Sequence, residues 1–407
     1  MAIIRPFLAL RPQPAIADRV AAVPYDVVNT QEARALAAGN PLSFLHVSRA
    51  EIDLPADTDP YSDAVYKRAA DNFIRLRASA PLVVEEEAAV YFYRLRMGNH
   101  QQTGLAACFS IDEYDRDLIK KHERTRRDKE DDRTRHISTL RAQTGPVFLT
   151  YRASPAINAV AERVTGGAPL FDFAAADGIR HTIWKVTGVD LSLLTKAGAE
   201  LPCLYIADGH HRAASAARTR KHLAEREPGV AHHEADWMLG VAFPDDQTQI
   251  LPYNRIVRDL VGQTPEALLS QLKSRIALSD GGPDPARKGE VAMYLGGRWH
   301  TLRLRGQEGA TDVGSTLDVS LLQDQVLAPF LKIGDQRTDK RIDFVGGIRG
   351  TRELETLVNT GKAAVAFSLF PVGVDDLIRI ADAGEIMPPK STWFEPKLRD
   401  GLLTHLI

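Results

Sequence analysis

Residues 204–218 read Leu-Tyr-Ile-Ala-Asp-Gly-His-His-Arg-Ala-Ala-Ser-Ala-Ala-Arg. The opening residues are apolar and suit a buried strand, whereas the segment from Arg212 to Leu223 is rich in alanine, the best helix former. The pattern predicts that a strand passes into a helix at Asp208 to His211. Together with the strands and helices indicated elsewhere, it leads us to expect an α/β or α+β fold with mixed sheets.

The turn between this strand and helix has the chemistry of a phosphate site. The first N–H groups of a helix lack internal partners and the helix dipole is positive there, so an anion is favoured. Gly209 removes the side chain that would keep a phosphate from the backbone, and Arg212 can donate two hydrogen bonds to phosphate oxygens. His210 and His211 add further donors, and Asp208 can cap the helix or hold Mg²⁺.

Two other interpretations of the turn stay open. In one, it is a capped helix whose two histidines face solvent or pair with a carboxylate. In the other, Asp208, His210 and His211 bind a metal ion, although adjacent histidines on a helix point apart and seldom share one ion. We predict phosphate binding at Asp208 to Arg212.

Composition limits the class of protein. The chain has 407 residues and 44% hydrophobic content, which predicts two or three packed domains. Its formal charge of -2 supplies no broad attraction for nucleic acid or for an anionic membrane. Any anion site must therefore be local.

Cysteine usage and apolar stretches indicate the compartment. Cys108 and Cys203 are the two cysteines, which gives neither a disulfide framework nor a Cys-x-x-Cys metal site. Residues 1–7 lack the features of a secretory signal. No stretch approaches the roughly 18 apolar residues of a transmembrane helix. We expect a cytoplasmic protein.

Local patterns predict further strands and helices. Apolar residues at helical spacing predict a helix over 62–78, and glycines predict hairpins at Gly98-Asn99, between strands 89–95 and 103–109, and at Gly296-Gly297. The charge-dense stretch 112–141 favours a solvated helical face. Other strands are expected at 22–28, 40–47, 147–151, 180–186 and 363–370, a strand pair at 238–243 and 250–257, and helices at 157–164 and 374–381.

Several charged residues outside the turn are candidates for ligand contacts. Asp26 and Glu51 suit a substrate or metal contact, or equally a turn or cap. Arg133 and its neighbouring arginines can neutralise phosphate charge or pair with adjacent acids. Lys390 lies in a proline-stiffened loop that can close over an anionic ligand, or form an ordinary surface tail.

The sequence also resembles known families. The string Asp-Gly-His-His-Arg before an alanine-rich helix resembles the phosphate-binding loop of the ParB/sulfiredoxin superfamily, which includes free-serine kinases that use a nucleotide as phosphate donor. Over its whole length the chain resembles the bacterial domain-of-unknown-function family 1015. The matching phrases are residues 23–28, 121–125, 208–212 and 387–397.

The superfamily resemblance implies an architecture and narrows the chemistry. It implies a ParB/sulfiredoxin-like, nucleotide-phosphate-binding part at residues 104–260, between an N-terminal portion, 1–103, and a C-terminal portion, 261–407. Sulfiredoxin chemistry needs a cysteine where this chain has His210. A ParB-like DNA switch would be followed by a basic helix-turn-helix, and no basic patch follows Leu223. The kinase branch remains.

The kinase branch implies roles for individual residues. It implies a nucleotide-dependent kinase that uses ATP or ADP with Mg²⁺ and phosphorylates the hydroxyl of a free amino acid, L-serine first. A His-Glu pair supplies the catalytic carboxylate in these kinases, and His122-Glu123 matches it, with Asp208 at the phosphate loop as the third catalytic residue and the Mg²⁺ ligand. Asp208 follows Glu123 by 85 positions, so the resemblance requires an inserted segment. The resemblance implies that Gly209, His210, His211 and Arg212 bind the phosphates and that Lys390 helps to neutralise their negative charge.

Two other functions remain open: a non-catalytic nucleotide-binding regulator, and a metal-dependent hydrolase that uses His210 and His211. Nucleic acid and membrane are not expected as partners. The sequence leaves the nucleotide, the acceptor and the oligomeric state undetermined.

Overall fold

A computed structural model describes residues 2–79, 82–231, 233–306 and 312–407. Its strands are β1 (Ile4–Arg5), β2 (Leu10–Pro12), β3 (Leu82–Val84), β4 (Val90–Met97), β5 (His100–Ser110), β6 (Ile119–Lys120), β7 (Ala142–Gln143), β8 (Val147–Tyr151), β9 (Phe171–Ala174), β10 (Arg180–Val186), β11 (Leu204–Asp208), β12 (Trp237–Pro244), β13 (Ile250–Leu251), β14 (Tyr253–Val257), β15 (Ala277–Asp280), β16 (Glu290–Leu295), β17 (Arg298–Arg303), β18 (Ile342–Gly346), β19 (Val365–Leu369), β20 (Trp393–Phe394) and β21 (His405–Leu406). Its α-helices are α1 (Ala17–Val20), α2 (Thr30–Ala37), α3 (Leu45–Ser48), α4 (Asp63–Ser79), α5 (Ile111–Asp115), α6 (Arg127–Leu140), α7 (Pro155–Thr165), α8 (Gly188–Ala199), α9 (His210–Arg226), α10 (Pro265–Lys273), α11 (Asp318–Leu322), α12 (Ala328–Leu331), α13 (Gly350–Asn359) and α14 (Val374–Asp382).

The chain divides into two compact units. The first holds Met1–Lys121, Thr125–Thr248 and Pro396–Ile407, and the second holds His122–Arg124 and Gln249–Glu395. The division into 1–103, 104–260 and 261–407 expected from the sequence stays a prediction.

A mixed sheet lies at the centre of the first unit. Nine of the described strands take part, in the order β6-β11-β8-β12-β5-β4-β10-β9, with β1 paired to β5. β11 runs parallel to β6 and antiparallel to β8, and β12 runs parallel to β8 and antiparallel to β5. Helices α7, α8 and α9 bury side chains in the same core. The expected α/β class with mixed sheets is therefore confirmed.

The core around β11 and α9 fixes the position of the turn between them. Leu204 and Ile206 of β11 are buried in the sheet core. α9 places Ala213, Ala216 and Ala217 in that core. Small side chains let the helix lie close to the sheet, and alanine favours the helix itself. Both sides of the turn are therefore anchored.

The second unit contains an antiparallel sheet. Six described strands follow the order β15-β17-β16-β19-β14-β18, and β13 pairs separately with β20. Gly296 and Gly297 join β16 to β17 with φ values of 58° and 80°. Two consecutive residues with positive φ are typical of a two-residue hairpin turn, so the predicted hairpin is confirmed.

Most of the other local predictions are also confirmed. The helix over 62–78 is α4, and the hairpin at Gly98-Asn99 joins β4 to β5. The strands at 147–151 and 180–186 are β8 and β10, and the helix after Asp208 is α9. α7, β19 and α14 also match expected elements.

The strands predicted at 22–28 and 40–47 are wrong. Residues 45–48 form helix α3 instead, and Phe44 just before it packs edge-on against Phe73 of α4, with ring centroids 6.3 Å apart. In the first segment Ala22 forms only an isolated bridge, to Asp400. Apolar runs this short do not distinguish a strand from a single helical turn, so tertiary packing decides.

The predicted pairing of 238–243 with 250–257 is wrong as well. β12 already has β5 on one edge and β8 on the other. β14 likewise has β18 and β19 as neighbours. Each strand therefore has both edges filled by partners distant in the sequence.

The charge-dense stretch 112–141 is only partly a solvated helical face. α5 and α6 supply its helices, with β6 between them. α6 nevertheless buries Asp132, His136, Ile137 and Leu140. One side of this charged helix therefore belongs to the interior of the first unit.

The helices bear on the expectation about membranes. None of those in the described ranges combines the length and the apolar content needed to cross a bilayer.

Gly104→Ala should destabilise the first unit. A Cβ at position 104 would lie 2.8 Å from the Phe243 ring and 2.8 Å from Val241 Cγ1. Overpacking of this kind costs about 1–3 kcal/mol, which urea unfolding followed by circular dichroism would detect. In Gly166→Ala, the control, the new Cβ would meet nothing closer than 3.5 Å, so the free energy of unfolding should change by less than about 0.5 kcal/mol. Equal effects of the two substitutions would contradict this packing.

Candidate functional site

Gly209 makes the turn between β11 and α9. The strand ends at Asp208, the helix begins at His210, and Gly209 has a φ of 92°. This left-handed conformation favours glycine. The Gly209 carbonyl accepts a hydrogen bond from the Ala213 N–H at 3.1 Å, which opens the 17-residue helix. The first-turn N–H groups of α9 therefore point toward the turn.

Arg212 lies buried beneath this turn. Its Nη1 donates to the Pro146 carbonyl at 2.5 Å, and its Nη2 lies 3.5 Å from an Asp26 carboxylate oxygen. A Cβ at Gly209 would lie 3.5 Å from the guanidinium. Its Nε is buried and has no hydrogen-bond partner among the described residues. The guanidinium thus keeps an unused donor close to the helix start.

Asp208 is held as a carboxylate. Lys397 Nζ donates to its Oδ2 at 2.8 Å. Burial alone would raise the pKa of Asp208, but the nearby Lys397 and Arg212 charges lower it well below its ordinary value. Asp208 is therefore ionised at neutral pH, as a magnesium ligand must be.

The tail of the first unit brings a third carboxylate to this cluster. Asp400 is 3% exposed. Burial raises its pKa to about 7, and Asp26 adds to that rise while Arg212 opposes it. For Arg212, burial alone would lower the pKa, but Asp26, Asp208 and Asp400 raise it above its ordinary value. The site is therefore a charge cluster made of Asp26, Asp208, Arg212, Lys397 and Asp400, in which Arg212, Lys397 and Asp400 are buried, Asp208 is half-buried and Asp26 is exposed.

The two histidines of the turn occupy different surroundings. His210 is 5% exposed, and His211 is less buried. The backbone N–H of Arg126 donates to His211 Nε2 at 3.0 Å. Within the described ranges, no group of three His, Cys, Asp or Glu side chains is arranged to hold a metal ion. Asp208 remains as a single carboxylate that can contribute to a Mg²⁺ site shared with phosphate oxygens.

The predicted catalytic pair His122-Glu123 and the predicted ligand contact Lys390 belong to the second unit. His122 is buried, and its carbonyl accepts a hydrogen bond from the Met387 N–H at 2.8 Å. Glu123 follows it at intermediate exposure. Lys390 has a positive φ of 57° and its Nζ lies 5.5 Å from the Tyr253 ring centroid. The turn residues Asp208 to Arg212 belong to the first unit, and the catalytic roles of His122, Glu123 and Lys390 stay predictions.

Sequence reasoning missed Asp400 altogether. The proline-stiffened segment was expected to close over a ligand or to form a surface tail, yet residues 394–405 are all buried. The apolar Leu398, Leu402 and Leu403 around Asp400 are the signal that indicates burial of this segment. Nothing local connects Asp400 with Arg212, since 188 positions separate them.

Asp400 should make stability depend on pH. Its folded pKa of about 7 exceeds the ordinary 3.8, so this group stabilises the fold fully below about pH 4 and the contribution is lost as pH rises through 7. The full effect is on the order of 4 kcal/mol. Asp400→Asn should therefore gain stability relative to wild type between pH 5 and 8, measured by urea unfolding.

The control for this experiment is Asp57→Asn, at an exposed carboxylate. Its stability difference from wild type should stay constant with pH. A constant difference for Asp400→Asn as well would show that Asp400 is not protonated in the folded protein near neutral pH.

Comparison with solved structures finds distant similarities. A conserved hypothetical protein from Pyrococcus furiosus aligns at 15% identity with a TM-score of 0.35, over 73% of this chain and 94% of that one. SbnI with a C-terminal truncation, from Staphylococcus aureus, aligns at 13% identity with a TM-score of 0.39, over 74% and 87%. A free serine kinase in complex with AMP aligns at 12% identity with a TM-score of 0.36, over 73% and 91%. Similarities this distant assign no function to the chain.

Comparison of sequences gives a family. No curated protein matches the chain. The family described as protein of unknown function, DUF1015, matches residues 4–320, which is more than half of the 407 residues. The chain therefore belongs to the DUF1015 family, as its sequence phrases predicted.

Proposed function

We propose that this protein is a kinase that transfers a phosphoryl group from ATP or ADP to the hydroxyl of a free amino acid, with L-serine first among the acceptors. One observation carries the proposal: the buried Arg212 guanidinium has an unused Nε–H beneath the start of a 17-residue helix. A buried donor without an acceptor is unfavourable by about 1–3 kcal/mol, and more for a charged group. A phosphate oxygen at the turn would satisfy it.

The proposed phosphate cradle is Gly209 to Arg212. Gly209 allows close approach of a phosphate to the first-turn N–H groups of α9, where the helix dipole favours negative charge. Arg212 supplies a positive charge from below, and His210 and His211 border the turn. This arrangement suits the polyphosphate of a nucleotide, because the backbone N–H groups and the buried Arg212 can neutralise its negative charge.

Asp208 is the residue that we assign to Mg²⁺. Its lowered pKa keeps it ionised, and Mg²⁺ is usually held by one or two carboxylates together with substrate phosphates. Bound Mg²⁺ supplies charge neutralisation on the phosphate oxygens. Lys397 pairs with the same carboxylate at 2.8 Å, and in the proposed complex it turns to the phosphates.

The proposed reaction is an in-line phosphoryl transfer. The acceptor hydroxyl oxygen forms a bond to the terminal phosphorus of the nucleotide, and the bond from that phosphorus to the bridging oxygen breaks. ATP leaves as ADP, and ADP leaves as AMP. The hydroxyl proton must pass to a general base, and Glu123 is the residue that the kinase resemblance offers for that role.

Arg212→Lys should weaken nucleotide binding. Lysine keeps the charge but loses the planar fork and the Nε–H donor, so the nucleotide KM should rise about tenfold or more. The assay measures ATP and ADP consumption over a panel of hydroxyl amino acids and small alcohols. Arg218→Lys is the control, because Arg218 lies on the same helix and pairs with Glu130 and Asp131 at the surface.

Three results would count against the proposal. Wild-type protein that consumes no nucleotide with any member of the panel is not such a kinase, and if it still binds nucleotide it fits the regulator alternative. If Arg212→Lys and Arg218→Lys have the same nucleotide KM, Gly209 to Arg212 is not the phosphate-binding site. Turnover with every acceptor except serine removes L-serine as the first choice.

Glu123→Gln should slow the chemical step. Loss of a general base typically lowers kcat by about 10²–10⁴-fold, while the nucleotide KM should stay within about twofold because Glu123 is not assigned to phosphate binding. Glu266→Gln, at an exposed glutamate of the same unit, is the matched control and should behave as wild type. A Glu123→Gln variant with the wild-type kcat would remove Glu123 from the mechanism.

A further inference from the structure

A cavity of about 230 Å³ lies in the first unit, away from the turn residues themselves. Its walls come from the N-terminal segment, from α3 and α4, and from α6. Tyr25, Arg49, Glu51, Asp132 and Arg133 line it together with apolar side chains. Its volume corresponds to about seven or eight waters at roughly 30 Å³ each. Serine has seven non-hydrogen atoms, so a molecule of this size fits.

Charges of both signs line this cavity. Arg49 Nε lies 2.8 Å from Glu51 Oε1, and the Glu51 side chain is 8% exposed. Arg133 Nη2 lies 2.9 Å from Asp132 Oδ2, and that aspartate side chain is 7% exposed. Buried charges are unfavourable unless they are paired and hydrogen-bonded. Two such pairs around one small cavity suit a ligand that itself carries both charges.

The arginines keep donors for a ligand. Arg133 directs Nε and Nη2 to Asp132 and lies with its guanidinium carbon 4.1 Å from the Tyr25 ring centroid. Within the described chain, no hydrogen bond is formed by its Nη1. Arg49 donates to the Tyr25 carbonyl at 3.2 Å and to Thr30 Oγ1 at 3.1 Å, and a guanidinium carries five N–H groups in all. Both side chains are thus fixed in place with N–H groups to spare.

We infer that this cavity binds a small zwitterionic α-amino acid, and that it is the acceptor site of the proposed kinase. The ligand carboxylate would bind Arg49 and Arg133, and its ammonium would bind Glu51 and Asp132. The acceptor role rests on the proposed function, whereas binding of the zwitterion does not.

The cavity and the phosphate turn share a wall. Tyr25 and Arg133 also line a second, smaller cavity whose wall includes Arg212 and Asp400. Asp26, the residue after Tyr25, carries the carboxylate that lies 3.5 Å from Arg212 Nη2. The Tyr25-Asp26 segment therefore contacts the amino acid cavity on one side and the turn's arginine on the other. An acceptor and a phosphate donor bound at these places would be neighbours within one unit.

The first test changes the ligand and leaves the protein intact. Isothermal titration calorimetry of the wild-type chain measures the binding of L-serine, L-alanine, L-serinamide and glycerate without nucleotide. L-Alanine lacks the hydroxyl but keeps both charges, so it should bind within about threefold of L-serine. L-Serinamide lacks the carboxylate and glycerate lacks the ammonium, so each should bind about tenfold or more weakly.

The second test changes the cavity. Glu51→Gln should weaken the binding of L-serine and L-alanine about tenfold and raise the KM for the amino acid, with the nucleotide KM within about twofold of wild type. Glu85→Gln is the matched control: both glutamates are 7% exposed, and Glu85 pairs with Arg11 and Lys185 outside the cavity. Arg133→Lys, with thermal unfolding of all variants, provides a second probe if Glu51→Gln unfolds.

The outcomes separate the two proposals. Wild-type protein that binds neither L-serine nor L-alanine overturns the amino acid site, as does equal binding by Glu51→Gln and Glu85→Gln. If the protein phosphorylates serine and Glu51→Gln leaves the KM for the amino acid unchanged, the kinase proposal stands and this cavity is not its acceptor site. If both amino acids bind the wild-type protein, lose binding in Glu51→Gln and are never phosphorylated, the amino acid site stands and the kinase proposal is wrong.

Discussion

The buried charge of Arg212 is the constraint on which the candidate site depends. A guanidinium taken out of water must be balanced by nearby carboxylates and satisfied by acceptors. In the first unit that balance comes from three separate segments, through Asp26, Asp208 and Asp400. The N-terminal segment, the end of β11 and the C-terminal tail are therefore joined by one electrostatic cluster.

Short-range sequence patterns were sufficient for the turn and its flanking elements. An apolar run, a glycine with room for positive φ and an alanine-rich segment lead to β11, Gly209 and α9 by local preference alone. The same holds for the hairpin at Gly296-Gly297. The strand prediction around Phe44 failed because the four apolar residues of 40–47 fit a strand and a single helical turn equally well. Contact with Phe73 of α4, which no local pattern contains, decides that case.

In the candidate site too, some features follow from neighbouring residues and others depend on distant parts of the chain. The chemistry of Asp208 to Arg212 could be read from adjacent residues, because a helix start carries its own anion preference. Adjacent residues could not predict that Arg212 is buried or that Asp400 lies near it. Both features depend on the C-terminal tail, which packs into the first unit from the far end of the chain. The charged stretch around Arg133 was misjudged for a related reason. A helix dense in charge usually faces solvent, yet α6 turns Asp132 and His136 inward.

The two proposed subsites differ in net charge as their ligands do. Around the amino acid cavity, the pairs of Arg49 with Glu51 and Arg133 with Asp132 sum to zero, and Lys129 adds one positive charge. A zwitterion enters without changing that net charge. A nucleotide polyphosphate is strongly negative and would meet three carboxylates near Arg212. Asp400 eases that conflict, because a group with a pKa of about 7 can hold a proton while the phosphates are bound. A pocket of paired charges for the acceptor and a protonatable, cation-backed turn for the donor are thus compatible within one fold.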